Sequence, residues 1–295
     1  MKTVAENMNI MSRSIGAAMR ERDPGPIREL AAQLAQAQVD YIDVNIGPAR
    51  KEGPELIEFV VREVQQAAQR PLSLDTMNLE AMRVGLAAHD DSWGPPLINS
   101  IMARPERIEA LLPLAVERGA QFIALLYGPE GLPRDAEERA GLAATLQIAA
   151  IEAGVPEQSI WYDPVVVPVN SQQAELQGCT EFMMLLPDIA PNSMSICGLS
   201  NVSNGAPSKL RPLLNRTYLA ILRHWGAKSA IVDGLDSELL RLARDQWPEL
   251  DALIGRVVQG EPIDEGALSR DELDYVKTAR VLLGHSLYSD SWLEL

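Results

Sequence analysis

Lysine and histidine are scarce in this chain of 295 residues, and where they stand removes whole classes of chemistry. The five lysines, Lys2, Lys51, Lys209, Lys228 and Lys277, fall in termini, loops or the entry to a strand, so a Schiff-base enzyme lacks an amine at a strand end. His89, His224 and His285 all fall in helix-like stretches, which leaves a catalytic metal without a ligand set and implies that the chain binds no metal. Cys179 and Cys197 show neither CxxC nor Cys/His spacing, so no zinc site or disulfide framework is expected, and a reducing compartment is implied. Cys197, with no base beside it, reads as a small core thiol. GxGxxG, GxxxxGK[ST] and GxSxG are missing too. No apolar run approaches the ~18 residues of a membrane span, and no basic segment followed by an apolar one opens the chain, so a cytoplasmic protein is expected. A formal net charge of −15 without clustered Lys and Arg argues against nucleic acid as a partner.

The chain has in quantity what a large core needs: 46% of its residues are hydrophobic. Short β-like runs alternate with amphipathic stretches such as GPIRELAAQLAQAQ and RPERIEALLPLAVERGA, whose apolar residues recur at three- and four-residue spacing. The strand candidates cover residues 4–10, 41–47, 71–77, 95–101, 122–127, 160–167, 194–201 and 229–235. Eight strand–helix units at a repeat of roughly 30 residues predict a (β/α)8 TIM barrel in place of an open sheet. Asp23-Pro24 and Arg104-Pro105 mark helix starts, and Gly119 and Gly226 mark helix ends before strands. Residues 1–247 are expected to form the barrel, and 248–295 a helical C-terminal appendage packed on it, in which Ser269 and Glu272 have capping-box spacing.

Several of these apolar runs end on Asp or Asn, giving a ring of Asn9, Asn45, Asp75, Asn99, Asp163, Asn201 and Asp233 at one barrel mouth. Taken singly, Asp75, Asn99 and Asp163 suit helix N-caps as well as a site. Asp43 and Asn45 alternate with apolar neighbours in YIDVNIG, which turns both into the barrel. Carboxylates and carboxamides suit a flat polar heterocycle such as a pterin, whose N–H and exocyclic NH2 lie side by side and can donate in parallel to one carboxylate. Arg50 and Lys51 in one loop, with Lys209, Arg211 and Arg216 after strand seven, are the basic residues near the mouth. They could hold a substrate carboxylate tail or belong to a lid, although solvated surface charge explains each as well.

The order DVNIGP, LSLDTMN, LINS, YDPVVVP, GLSNVS and LNRTYLAI resembles the pterin-binding methyltransferases, in particular the free-standing methyltetrahydrofolate:corrinoid (iron-sulfur) protein methyltransferases. The resemblance spans about residues 5 to 235, and GLSNVS followed by NRT is its most specific part. It implies methyl transfer between N5 of 5-methyltetrahydrofolate and the cobalt of a corrinoid. Asp75, Asn99 and Asp163 would hold the pterin, and Asn201 would attend N5 as the catalytic residue. The family's G-E-R-I-N at strand one appears here as Ala5-Glu6-Asn7-Met8-Asn9, keeping Glu6 and Asn9 and losing the basic residue. No DxHxxG signature is present, so the cobalamin is expected on a separate corrinoid protein, and a homodimer is implied by the resemblance. The alternatives are an enzyme of the dihydropteroate synthase type and a pterin-binding protein without catalysis.

Overall fold

A computed structural model describes residues 1–48 and 51–294, so Arg50 lies outside the described residues. Eight parallel strands, β1 (Lys2–Asn9), β2 (Tyr41–Asn45), β3 (Leu72–Asp75), β4 (Leu97–Met102), β5 (Gln121–Leu125), β6 (Ile160–Asp163), β7 (Met194–Ser195) and β8 (Ser229–Val232), stand in the order β7-β6-β5-β4-β3-β2-β1-β8. Two backbone donors close the circle: Ile231 N–H to the Cys197 carbonyl at 2.8 Å and Lys228 N–H to Ser195 Oγ at 2.8 Å. The fold is thus the expected (β/α)8 barrel. Helices α1 (Arg13–Glu21) and α2 (Pro24–Gln36) share the first connection. Then follow α3 (Gly53–Ala68), α4 (Leu79–Ala88), α5 (Pro105–Arg118), α6 (Ala136–Glu152), α7 (Gln173–Ile189), α8 (Arg211–His224) and α9 (Ser237–Ala243). Beyond the barrel, α10 (Pro248–Val258) and α11 (Arg270–Leu282) pack on α8.

Local chemistry sets many of these boundaries. Asp23 caps α2 by accepting the Gly25 N–H at 2.9 Å, with Pro24 in the first turn where its missing donor costs nothing. Gly119 and Gly226 close α5 and α8 at φ of 58° and 82°, a region that a side chain disfavours. Ser269 and Glu272 form a reciprocal capping box at the start of α11.

Two strands are shorter than their apolar runs. Proline at position 164 has no N–H for the ladder, so β6 stops at Asp163. Strand β7 ends at Ser195, Ile196 to Gly198 keep only single bonds or a bridge to β6 and β8, and Leu199–Ser203 turn into 3-10 helix. Asn201 therefore rides on that turn, not on a strand end.

Inside the barrel, Val4, Tyr41, Leu97, Ile123, Trp161, Ile196 and Ile231 form an apolar plug, separate from the larger core between sheet and helices. Tyr41 meets Trp161 edge-on at 5.6 Å, and Lys2 Nζ lies 5.4 Å from the Trp161 ring centroid. Burying a side chain such as Trp161 contributes about 3 kcal/mol, and the plug leaves the polar positions to the opposite end. Among the described residues no helix is long and apolar enough to cross a membrane.

Candidate functional site

Alternate side chains of a strand point into the barrel, and strand register then decides which of them meet. Asn9 is paired with Asn45, Asn45 with Asp75, and Asp75 with Asn99, so four of the expected residues form one row across β1 to β4. Asp43 and Ser73 are paired one layer below, and Asp163 ends β6 beside Leu125 of β5. None of Asp75, Asn99 and Asp163 caps a helix. Asn78 caps α4, α5 begins after Arg104, and α7 begins at Gln173.

Asp43 is the hub of the buried layer. Only 3% exposed, its Oδ1 accepts from Ser73 Oγ at 2.6 Å and from Asn99 Nδ2 at 3.0 Å. Asn45 donates from Nδ2 to Asp75 and accepts the Gly47 N–H at 2.9 Å, which fixes its amide. Burial raises the pKa of both Asp43 and Asp75. Repulsion from Asp43 lifts Asp75 further, while bonds from Ser73, Asn99 and Asn45 work the other way.

Across the mouth, Asp163 is pushed up to about 6 by burial, opposed by the N–H groups of Val165 and Gly198 and by the charge of Arg139. Its Oδ1 accepts the Val165 N–H at 2.8 Å. Glu6 accepts from Ser200 Oγ at 3.0 Å, and its carboxyl is raised by burial first, then by Asp233 and Asp43, against Ser200 and Arg211.

Asn201 is exposed at the rim, with its Oδ1 accepting from Asn204 Nδ2 at 3.2 Å. Arg211 anchors this turn to α8 by donating to Ser203 Oγ at 3.2 Å and Asn204 Oδ1 at 3.3 Å. Asn9 accepts the Met11 N–H at 2.8 Å and shapes the loop after β1. Asp233, also exposed, accepts from Asn7 Nδ2 at 2.7 Å, while Asn7 Oδ1 accepts the Gly234 N–H at 2.8 Å; the pair straps β1 to β8. Lys51 is exposed in the loop after β2. Arg216 is held by Asp236 at 2.7 Å on α8.

Three polar residues of this network escape sequence reasoning: Ser73, Ser200 and Asn7. Ser73 carries a usable signal, since it alternates with Asp75 in LSLD and must share its face. Asn7 stands in the same alternation with Asn9, and no comparable pattern marks Ser200. A recess floored by carboxylates and carboxamides can take several hydrogen bonds from a flat, donor-rich ring, and burial makes each unmade bond costly. Among the described residues no group of His, Cys, Asp and Glu is placed to hold a metal ion.

Comparison with known proteins places the chain in a family. A methylcorrinoid:tetrahydrofolate methyltransferase of Eubacterium limosum is 26% identical over 246 residues, covering 80% of this chain and 86% of that protein. Methionine synthase of Mycobacterium tuberculosis is 25% identical over 232 residues, 75% of this chain but 19% of the longer enzyme. Among solved structures, dihydropteroate synthase of Xanthomonas albilineans in complex with indole-2-carboxylic acid and 6-chloroguanine superposes with a TM-score of 0.60 at 18% identity. That superposition covers 85% of this chain and 93% of the synthase and speaks for the fold alone. The pterin binding enzyme family matches residues 8–233, from the end of β1 to the residue after β8. This chain is a member of the pterin binding enzyme family.

Proposed function

We propose that the protein transfers a methyl group between N5 of 5-methyltetrahydrofolate and the cobalt of a corrinoid carried by a separate protein. The observation that carries this reading is the cluster of acid and amide side chains at one end of the barrel, where Asp43 accepts from Asn99, Asp75 is paired with Asn99, and Asp163 accepts from the N–H of Gly198, three residues before the exposed Asn201. The likeness to the methylcorrinoid:tetrahydrofolate methyltransferase supports it along most of both chains.

In this reading the Asp75 carboxylate accepts two parallel bonds from the pyrimidine edge of the pterin, and Asn99 and Asp163 take the remaining ring atoms. N5 is a tertiary amine and leaves poorly until it gains positive charge. Asn201 cannot supply a proton, but its carboxamide can turn its oxygen to an N5–H and favour that state. Cobalt supplies the nucleophile when the partner is docked, and this chain supplies position and electrostatics. Physiological direction does not follow from these residues, because a catalyst accelerates both.

Dihydropteroate synthase chemistry needs basic residues at strand ends to hold the pyrophosphate it expels, and none of the strand ends offers one. A homodimer fits the outer face of α6 and α7, where Ile148, Ile151, Met184 and Leu185 are 59%, 56%, 43% and 43% exposed beside Gly141 and Ala144.

Single-turnover transfer from 5-methyltetrahydrofolate to free cob(I)alamin tests the reading by the change in corrin absorbance. Wild-type protein is expected to transfer, and Asn201→Ala to bind the pterin with transfer lost. Pterin binding by the wild type without any methylation of cobalt leaves a non-catalytic binding protein.

A further inference from the structure

Arg139 sits on α6, outside the barrel, and is fully buried. Its Nε donates to the Pro164 carbonyl at 2.8 Å, one terminal nitrogen to the Asp135 carbonyl at 2.9 Å and the other to the Glu175 carbonyl at 3.3 Å. All three acceptors are backbone. A cation in a dry interior is costly, so its place needs a compensating charge.

That charge is reached through one peptide unit. The carbonyl of the Pro164–Val165 peptide accepts from Arg139, and the N–H of the same peptide donates to Asp163 at 2.8 Å. Cation, peptide dipole and carboxylate therefore stand in a favourable sequence, with the positive end of the peptide towards Asp163. Val165 adopts φ of 64°, a conformation that costs a β-branched residue ~1–3 kcal/mol and needs holding from both sides. Room for the guanidinium comes from Gly178 on α7, where an added Cβ would lie 3.0 Å from Arg139 and 2.9 Å from the Asp135 Cα.

We propose that Arg139 is a positioning residue for Asp163: through the Pro164–Val165 peptide it orients an N–H onto that carboxylate and sets positive charge beneath it. The consequence for ligand binding rests on the pterin-holding role given to Asp163 above. The other groups that act on Asp163 carry no positive charge. Cys179 on α7 and Cys197 after β7 are neutral thiols pushed up by burial, Tyr218 of α8 bonds to Cys179, and Gly198 contributes a backbone N–H.

Carbon-detected NMR of the Asp163 carboxyl, assigned with Asp163→Asn, reads its titration directly, with a wild-type midpoint near 6. Arg139→Met is expected to raise proton affinity about tenfold, which is one unit in the midpoint. Arg139→Lys retains the charge and is expected to titrate close to wild type, while 5-methyltetrahydrofolate binds several-fold more weakly because one ammonium cannot hold three carbonyls in plane. Arg139→Gln keeps a hydrogen-bond donor for the Pro164 carbonyl without the charge and is expected to raise the midpoint as well, which also covers a failure of Arg139→Met to fold. A wild-type midpoint in Arg139→Met or Arg139→Gln overturns the proposal, as does Arg139→Lys titrating as high as Arg139→Met. Wild-type pterin affinity in Asp163→Asn would instead remove the binding role of Asp163 and leave the titration result standing.

Discussion

Replacing Asp75 by asparagine probes the floor of the recess most directly. In the function proposed above, a carboxylate at this position accepts two donors from the pterin edge, whereas a carboxamide would offer one acceptor and turn its own N–H groups towards the second donor. One charge-assisted bond is lost and a donor–donor contact appears. With such bonds contributing about 1.5–3 kcal/mol, the cost is about 3 kcal/mol, or roughly a hundredfold in Kd. The wild-type affinity should also depend on pH. Burial and Asp43 raise the pKa of Asp75, so the free site is partly protonated well above the ordinary value of 3.8. Binding that requires the carboxylate must release that proton, and affinity climbs up to tenfold per pH unit through the raised window before it levels off. In Asp75→Asn this dependence should shrink to the part below about 6 that belongs to Asp163. Fluorescence titration of 5-methyltetrahydrofolate across about pH 5–8 measures both effects. The fold gives no reason for the variant to be unstable, because the substitution removes a charge that Asp43 repels. Affinity within threefold of wild type, or an unchanged pH profile, would refute the assigned role.

The other expectations concern stability and assembly. Mouth carboxyls with raised folded-state pKa values bind more protons than the unfolded chain, so stability falls as pH rises from their unfolded value near 3.8 through about 6 for Asp43 and Asp163 and on to about 8 for Asp75. Thermal melts of the ligand-free protein should drop across this window by about 1–3 kcal/mol, and Asp43→Asn, which still accepts from Ser73 and Asn99, should flatten the drop. Ser269→Ala removes the hydroxyl that accepts the Glu272 N–H while leaving the backbone N–H of position 269 free to donate to Glu272, and should cost about 1 kcal/mol, read as a lower urea midpoint with an unchanged slope. Ile148→Asp places a carboxylate on the outer face of α6; light scattering should report monomers in place of dimers, and an unaltered dimer would move the interface elsewhere.

Period-two patterning made the interior legible in the sequence, since a strand must turn Asp43 and Asn45 to one side together and Asp75 with Ser73 likewise. Which polar residues touch depends on register between strands, which no single strand encodes; the pairing of Asn45 with Asp75 and of Asn99 with Asp43 emerges only in the closed sheet. The run 194–201 looked like one long strand because its apolar residues continue, yet its last residues turn into a 3-10 helix and lift Asn201 to the rim. Arg139 was invisible for another reason. In ERAGLA it has the look of a solvated helix residue, and its burial follows from the glycine at 178, a whole strand and helix away.

The plug of Tyr41 and Trp161 beneath Lys2 turns the barrel into a vessel with a sealed base. Protons on Asp43, Asp75 and Asp163 then exchange with solvent mainly through the rim. A second protein seated on that rim would fix the proton inventory of the recess at the moment of docking. The pH at which the complex assembles, more than the pH at which it reacts, would then decide how many protons are present when the methyl group moves.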